Sequence, residues 1–200
     1  MNKILIAIPT TGQVEIEYVN SILRLSRTVT ADIIHSSGSL VYAARNDFVK
    51  TALDGEYTHM LFIDSDMVFN ADALNVLLSH DKDIISGSIF SRVKPYKPCF
   101  YKKLKLGEQG EVECERVEEL QDGLQEVEGA GTAFLLVKTK VYADIIEKFG
   151  TYPFNPLTGY GEDLSFCLRA RMCGYKIFVD NDLTIGHIGK TIVTSADYEV

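Results

Sequence analysis

Two aspartates, Asp64 and Asp66, stand one residue apart directly after the apolar run Met60-Leu61-Phe62-Ile63. Alternation along an extended chain points both carboxylates to one side. Carboxylates that close repel each other unless a cation lies between or near them. A hard divalent ion with oxygen ligands is the natural occupant, and it brings phosphates with it. Alone, an Asp-x-Asp is common, and the same residues read equally well as an acidic turn leading into a helix. Later in the chain Glu162 and Asp163 open a helical pattern, and His187 stands between Gly186 and Gly189. Acidic residues are ordinary at the start of a helix, where exposed N–H groups favour negative charge. A single histidine is more often structural than a ligand.

These residues need elements to position them. Four apolar residues before Asp64 read as a strand buried on both faces in the middle of a parallel sheet. Open α/β sheets place ligands at the carboxyl edge of such strands. Ile4 to Ile8 is another buried strand, stopped by Pro9, with Thr10, Thr11 and Gly12 as a polar turn. Ile16, Val19, Ile22 and Leu23 recur at helical spacing up to about Arg27, and Ala31 to His35 is a second strand. Val41 to Leu53 is a helix with Gly55 as its stop. Asn70 is the expected N-cap of a helix carrying Leu74, Leu77 and Leu78. Asp83 to Phe90 then returns as a strand. Alternating β and α units with short connections mean a parallel sheet with right-handed crossovers.

From Ser91 the pattern changes. Tyr96 to Leu106 and Glu111 to Val117 read as exposed antiparallel strands or a hairpin. Thr139 to Phe149 is a helix, Gly150 to Gly161 a loop, and Leu164, Cys167, Leu168 and Met172 mark one face of the helix that follows. Lys176 to Val179 is a last strand before His187. One domain accounts for residues 1–200, with about 1–92 as a nucleotide-binding half and about 93–200 as the acceptor and sugar half.

The 200 residues are 46% hydrophobic, enough for one sizeable core. A net charge of −8 argues against a nucleic-acid partner. Basic residues from Arg92 to Lys105 face an acidic stretch from Glu108 to Glu128, as solvated strands of opposite charge or as a contact to a phosphorylated ligand. Cys99, Cys114, Cys167 and Cys173 have no zinc spacing, which favours a reduced, cytoplasmic protein. The only apolar run near the start is too short for a signal peptide or membrane span.

The order of pieces carries more than any one of them. Asp64-Ser65-Asp66, then Gly161-Glu162-Asp163-Leu164, then Gly186-His187-Ile188-Gly189 resembles the GT-A glycosyltransferases, particularly the family-2-like group. The resemblance spans nearly the whole chain. It implies an α/β, Rossmann-like fold with a mixed, mainly parallel sheet and an antiparallel hairpin insertion. It implies a metal-dependent hexosyltransferase-like enzyme of glycan synthesis, moving a sugar from a nucleotide-diphosphate-sugar, by default a UDP-sugar, to an acceptor hydroxyl. Pro9, Thr10 and Thr11 would line the nucleotide pocket, and Arg45 resembles a donor-side arginine whose ordinary role would be a helix-surface salt bridge. Asp64 would contact the nucleoside. Asp66 and His187 would hold Mn²⁺ or Mg²⁺ at the diphosphate. Ser65, Arg92, Gly131 and Lys190 complete the donor-side set, and Lys94 follows the same strand as Arg92. Asp163 resembles the general base of inverting members, with Glu162 positioning the acceptor or a loop. Little follows His187 that would form an acceptor domain or membrane attachment, so the chain reads as a compact enzyme or one domain of a larger protein.

Three other readings share parts of this pattern. A haloacid-dehalogenase-like phosphatase uses Asp-x-Asp, but on its first strand and with a later lysine and acidic pair. A sugar-nucleotide pyrophosphorylase needs a basic Gly-rich loop after the first strand, which Pro9-Thr10-Thr11-Gly12-Gln13 lacks. A non-catalytic nucleotide-sugar-binding module would keep the donor site without turnover.

Overall fold

The computed structural model describes residues 2–38, 40–106 and 112–189. In chain order the elements are β1 (Ile4–Thr10), α1 (Ile16–Leu25), β2 (Asp32–Ser37), α2 (Val41–Asp54), β3 (His59–Ile63), β4 (Met67–Val68), α3 (Ala73–Ser79) and β5 (Ile84–Ile89). There follow β6 (Phe100–Leu106), β7 (Val112–Arg116), β8 (Leu124–Val127), β9 (Gly129–Ala130), β10 (Phe134–Lys138), α4 (Lys140–Phe149), α5 (Glu162–Met172) and β11 (Ile177–His187).

The main sheet runs β2-β1-β3-β10-β5-β11-β4, with β8 added on β11. β2, β1 and β3 are parallel neighbours, and β11 is parallel to β5. Between β3 and β5 lies β10, antiparallel to both. Strands from the later part of the chain therefore complete the sheet begun by the first half. β7-β6-β9 forms a separate antiparallel sheet, the expected hairpin insertion. Lys102 and Lys103 on β6 pair with Glu113, Glu115 and Glu118, so these charges do face each other as solvated strands.

β3 explains its own sequence. All five residues are buried, because Met60 and Phe62 face one core layer while Leu61 and Ile63 face the other. The first layer packs α2, α4 and α5 on the sheet, around the rings of Phe48, Phe62, Tyr142, Phe154 and Phe166. The second packs α1 and α3, through Tyr18, Leu25, Leu74 and Leu77. Each such side chain contributes about 1.5–3 kcal/mol on burial. The strand's carboxyl end is thereby fixed from both sides.

Several boundaries differ from the sequence reading. In α1, Tyr18, Ser21 and Leu25 are the buried residues while Ile16 and Leu23 are exposed. α3 begins at Ala73 with Asp72 in the cap position, and Asn70 contributes only a turn through its carbonyl to Ala73 N–H. α5 is buried from Leu164 through Ala170, whereas Met172 is exposed at its end. The last strand is continuous over Ile177–His187, with a register irregularity between Asp180 and Thr184. That longer strand carries His187 to the sheet edge.

Candidate functional site

The loops after β1, β2 and β3 meet at the carboxyl edge of the sheet and enclose a cavity of about 380 Å³. Pro9, Thr10 and Thr11 line one wall, Ser36 and Gly38 another, and Asp64, Ser65, Asp66 and Arg92 the floor and rim. A second cavity of about 210 Å³ adjoins it through Asp64 and is lined by Arg45, Gly131, Thr132, Glu162, Asp163 and His187, among others. Every donor-side and catalytic residue expected from the sequence lies on one of these two cavities except Lys190, which falls outside the described residues, as do Glu108 and Glu111 of the acidic stretch. Lys94 lines neither.

The two aspartates line one cavity but have different side-chain partners. Residues 64–67 form a turn, closed by Met67 N–H on the Asp64 carbonyl at 3.2 Å, rather than an extended strand. Asp64 accepts from Arg45 Nη2 at 3.0 and 3.3 Å. Asp66 faces Arg92 Nη1 at 2.6 Å and His187 Nε2 at 3.3 Å. The turn thus sends the two carboxylates to different partners.

Arg45 is buried at 3% exposure and is held from a second side by Glu162 Oε1, 3.5 Å from its Nε. It is an internal clamp between β3 and α5, not a helix-surface residue. Its Nη1 has no hydrogen-bond partner among the described residues, Nε has only the ion pair with Glu162, and the buried Thr132 hydroxyl has none. Buried polar groups are nearly always partnered, so orphaned donors beside a cavity are available to a ligand or to water.

His187 is held by one ring nitrogen and turns the other to Asp66. Its Nδ1 lies 2.9 Å from the carbonyl of Phe90, which only accepts, so Nδ1 carries the proton. In a neutral ring Nε2 then presents a lone pair to the Asp66 carboxylate. Two acceptors at that distance need a proton or a metal cation between them. A ring nitrogen anchored on a carbonyl with its partner nitrogen free is the usual arrangement of a metal-binding histidine. Without a metal, the Asp66 hydrogen bond raises the His187 pKa against the opposing effect of burial. Burial would raise Asp66, but His187 and Arg92 together bring it below the usual range. Asp66 and His187 therefore fit a divalent ion. Among the described residues no third His, Cys, Asp or Glu joins them, so further ligands would come from phosphate oxygens and water.

Asp163 is set apart electrostatically. Burial, then the neighbouring Glu162 charge, raises its pKa, partly offset by the Leu164 N–H and Arg45. The Leu164 N–H donates to Oδ1 at 2.7 Å. Oδ2 is the nearer to Gly131, lying 4.0 Å from where a Cβ would stand there. A carboxylate half-buried at a cavity with a raised pKa is suited to taking a proton.

The sequence reading missed Thr132's orphaned hydroxyl, and it missed Cys99, Tyr101 and Arg116, which also line the second cavity. Alternation along β7 puts Arg116 on the face opposite Glu113 and Glu115, a signal obscured by the surrounding charge.

No protein-family model matches the chain, and no curated protein does. Solved structures do. The protein A197 from STIV is 19% identical, with a TM-score of 0.62 over 94% of this chain and 86% of that one. TarS 1–349 from S. aureus is 14% identical, with a TM-score of 0.50 over 90% of this chain and 57% of that one. The 4-diphosphocytidyl-2C-methyl-D-erythritol synthase from Anaerococcus prevotii is 13% identical, with a TM-score of 0.50 over 98% and 94%. At such identities the shared property is the fold: an α/β, GT-A (Rossmann-like) mixed sheet flanked by helices, with an antiparallel hairpin inserted.

Proposed function

We propose that this chain is a glycosyltransferase that moves a sugar from a nucleotide-diphosphate-sugar, with a UDP-sugar as the first candidate, to an acceptor hydroxyl. The observation that supports it most is the junction of the two cavities at Asp64. One cavity, of about 380 Å³, is lined by Pro9, Thr10, Thr11 and Asp66, and the other holds a carboxylate of raised pKa.

The nucleoside would lie against Pro9, Thr10, Thr11 and Asp64, with its diphosphate toward Ser65, Asp66 and Arg92. Asp66 and His187 would hold a Mn²⁺ or Mg²⁺, whose contribution is to neutralise charge on the departing diphosphate. Arg92 is exposed enough to leave Asp66 and meet a phosphate oxygen. The sugar would extend past Gly131 and Thr132 into the second cavity. Asp163 there takes the proton of the acceptor hydroxyl as its oxygen bonds the anomeric carbon. The bond from that carbon to the diphosphate oxygen breaks, and its electron pair leaves with the nucleotide. Attack from the face opposite the leaving group inverts the anomeric centre. Glu162, bound to Arg45, holds the base-bearing end of α5 against β3.

The phosphatase reading requires Asp64 as a free nucleophile, and its clamp to Arg45 counts against that. Among the described residues no helix is long and apolar enough to cross a membrane. Incubation with a panel of UDP-sugars, with UDP release as the readout, tests the proposal. UDP release from at least one donor, lost in Asp163→Asn, is expected. Hydrolysis of simple phosphate esters without action on any sugar nucleotide would overturn it.

A further inference from the structure

The second cavity has a cationic wall that the transfer chemistry does not use. Arg116, at the end of β7, lines it beside Tyr101 and Cys99. Its Nη1 donates to the Pro98 carbonyl at 2.6 Å, and its guanidinium lies over the Tyr101 ring, 5.2 Å from the centroid. No carboxylate among the described residues lies within ion-pair distance of it. By contrast Arg45 and Arg92 are each paired with an aspartate, and Lys102 and Lys103 with glutamates.

An arginine fixed by a carbonyl, an aromatic face and the Cys99 thiol, with no carboxylate on its fork, is preorganised for a carboxylate or phosphate. Arg45 Nη1 and the Thr132 hydroxyl, both buried and unpartnered, face the same cavity and add donors for neutral oxygens. Arg116 and Tyr101 come from the inserted hairpin, whereas the residues around Asp64 come from the main sheet. The anion therefore belongs to the molecule that enters on the hairpin side.

We infer that Arg116 selects an acceptor bearing an anionic substituent, a carboxylate or a phosphate monoester, and seats it so that a hydroxyl meets Asp163. The inference rests on the glycosyltransferase reading for the word acceptor, but not for the anion site itself. Tyr101 supplies a flat face for the acceptor's ring. Arg116 acts as a specificity residue, since it touches the substituent and not the reacting oxygen.

The test is calorimetric titration of glucose, glucuronate and glucose 6-phosphate into the protein, with and without saturating UDP. At least one anionic sugar is expected to bind about tenfold or more tightly than glucose, with the preference weakened by salt. Arg116→Ala should remove the preference while leaving glucose and UDP binding unchanged. Arg116→Lys, which keeps the charge but not the fork, should restore part of it and guards against a collapsed hairpin. Equal binding of neutral and anionic sugars, or a preference that survives Arg116→Ala, would overturn the inference. So would an Arg116-dependent preference confined to UDP-glucuronate over UDP-glucose, titrated in the same way, since the anion would then belong to the donor. Failure of UDP to bind while Arg116 still governs anionic sugars would count against the donor reading alone.

Discussion

At the residue scale the clearest division of labour is between adjacent carboxylates. Glu162 faces Arg45, whereas Asp163 points to the cavity by Gly131. Neighbours on a helix project about 100° apart, so both cannot serve one hydroxyl. Asp163→Asn should lose about 10²- to 10⁴-fold in turnover with donor affinity nearly unchanged, the range for a general base. Glu162→Gln should lose less. A dead Glu162→Gln beside a fully active Asp163→Asn would reverse the assignment. The raised Asp163 pKa also sets two pH dependences. Its basic form exists only above that raised value, so kcat/KM should climb with pH through a point above the usual carboxylate range. Stability runs the other way. The unfolded chain loses this proton more easily than the folded one, so ionisation costs stability as pH rises from about 4 through the folded value. Asp163→Asn should therefore be more stable than the parent at pH 7, with the gain fading as the pH falls below about 4 in thermal melts. For His187, removal to Ala should weaken Mn²⁺ affinity in the presence of UDP by about 10- to 100-fold, and unchanged affinity would exclude it as a ligand.

At the element scale, the sequence made the sheet legible and left the loops dark. β1 and β3 announce themselves as unbroken apolar runs, because both faces of the sheet are covered. The place of β10 between β3 and β5 has no local signal, since nothing in Phe134–Lys138 says which strands flank it. The turn at Ser65 has no local signal either: both aspartates do line one cavity, but through a turn and toward different partners. His187 stands out through its glycines, but the orientation of its ring depends on the Phe90 carbonyl, which only the β5–β11 pairing brings near. Arg116 was lost in a charge-rich hairpin. The loop before α5 is tied to α2 by a buried amide: Asn46 bonds Asn155 Oδ1 at 2.8 Å and the Phe154 N–H at 3.0 Å. Asn46→Ala strands both partners and should cost about 1–3 kcal/mol in chemical denaturation. A midpoint within error of the parent would show that the loop is held by Arg169, through Pro153 and Asn155, instead.

At the scale of the whole molecule, two cavities meet where strands β1, β2 and β3 end, and residues from both parts of the chain close them. The proposed transfer requires a nucleotide diphosphate lying across Ser65 and Asp66 with a divalent ion at Asp66 and His187. Calorimetric titration of UDP into the protein, in Mn²⁺ and again in excess chelator, addresses this most directly. The expected result is saturable binding in Mn²⁺ that weakens at least about tenfold in chelator, and equally in Asp66→Asn with Mn²⁺ present. Since the residue lies at the sheet edge and not in the core, a melt of Asp66→Asn without ligand should still show one cooperative transition, at a lower midpoint than the parent because the pairs with Arg92 and His187 are lost. UDP binding that is absent under all conditions, or undiminished in both chelator and Asp66→Asn, would contradict the central claim.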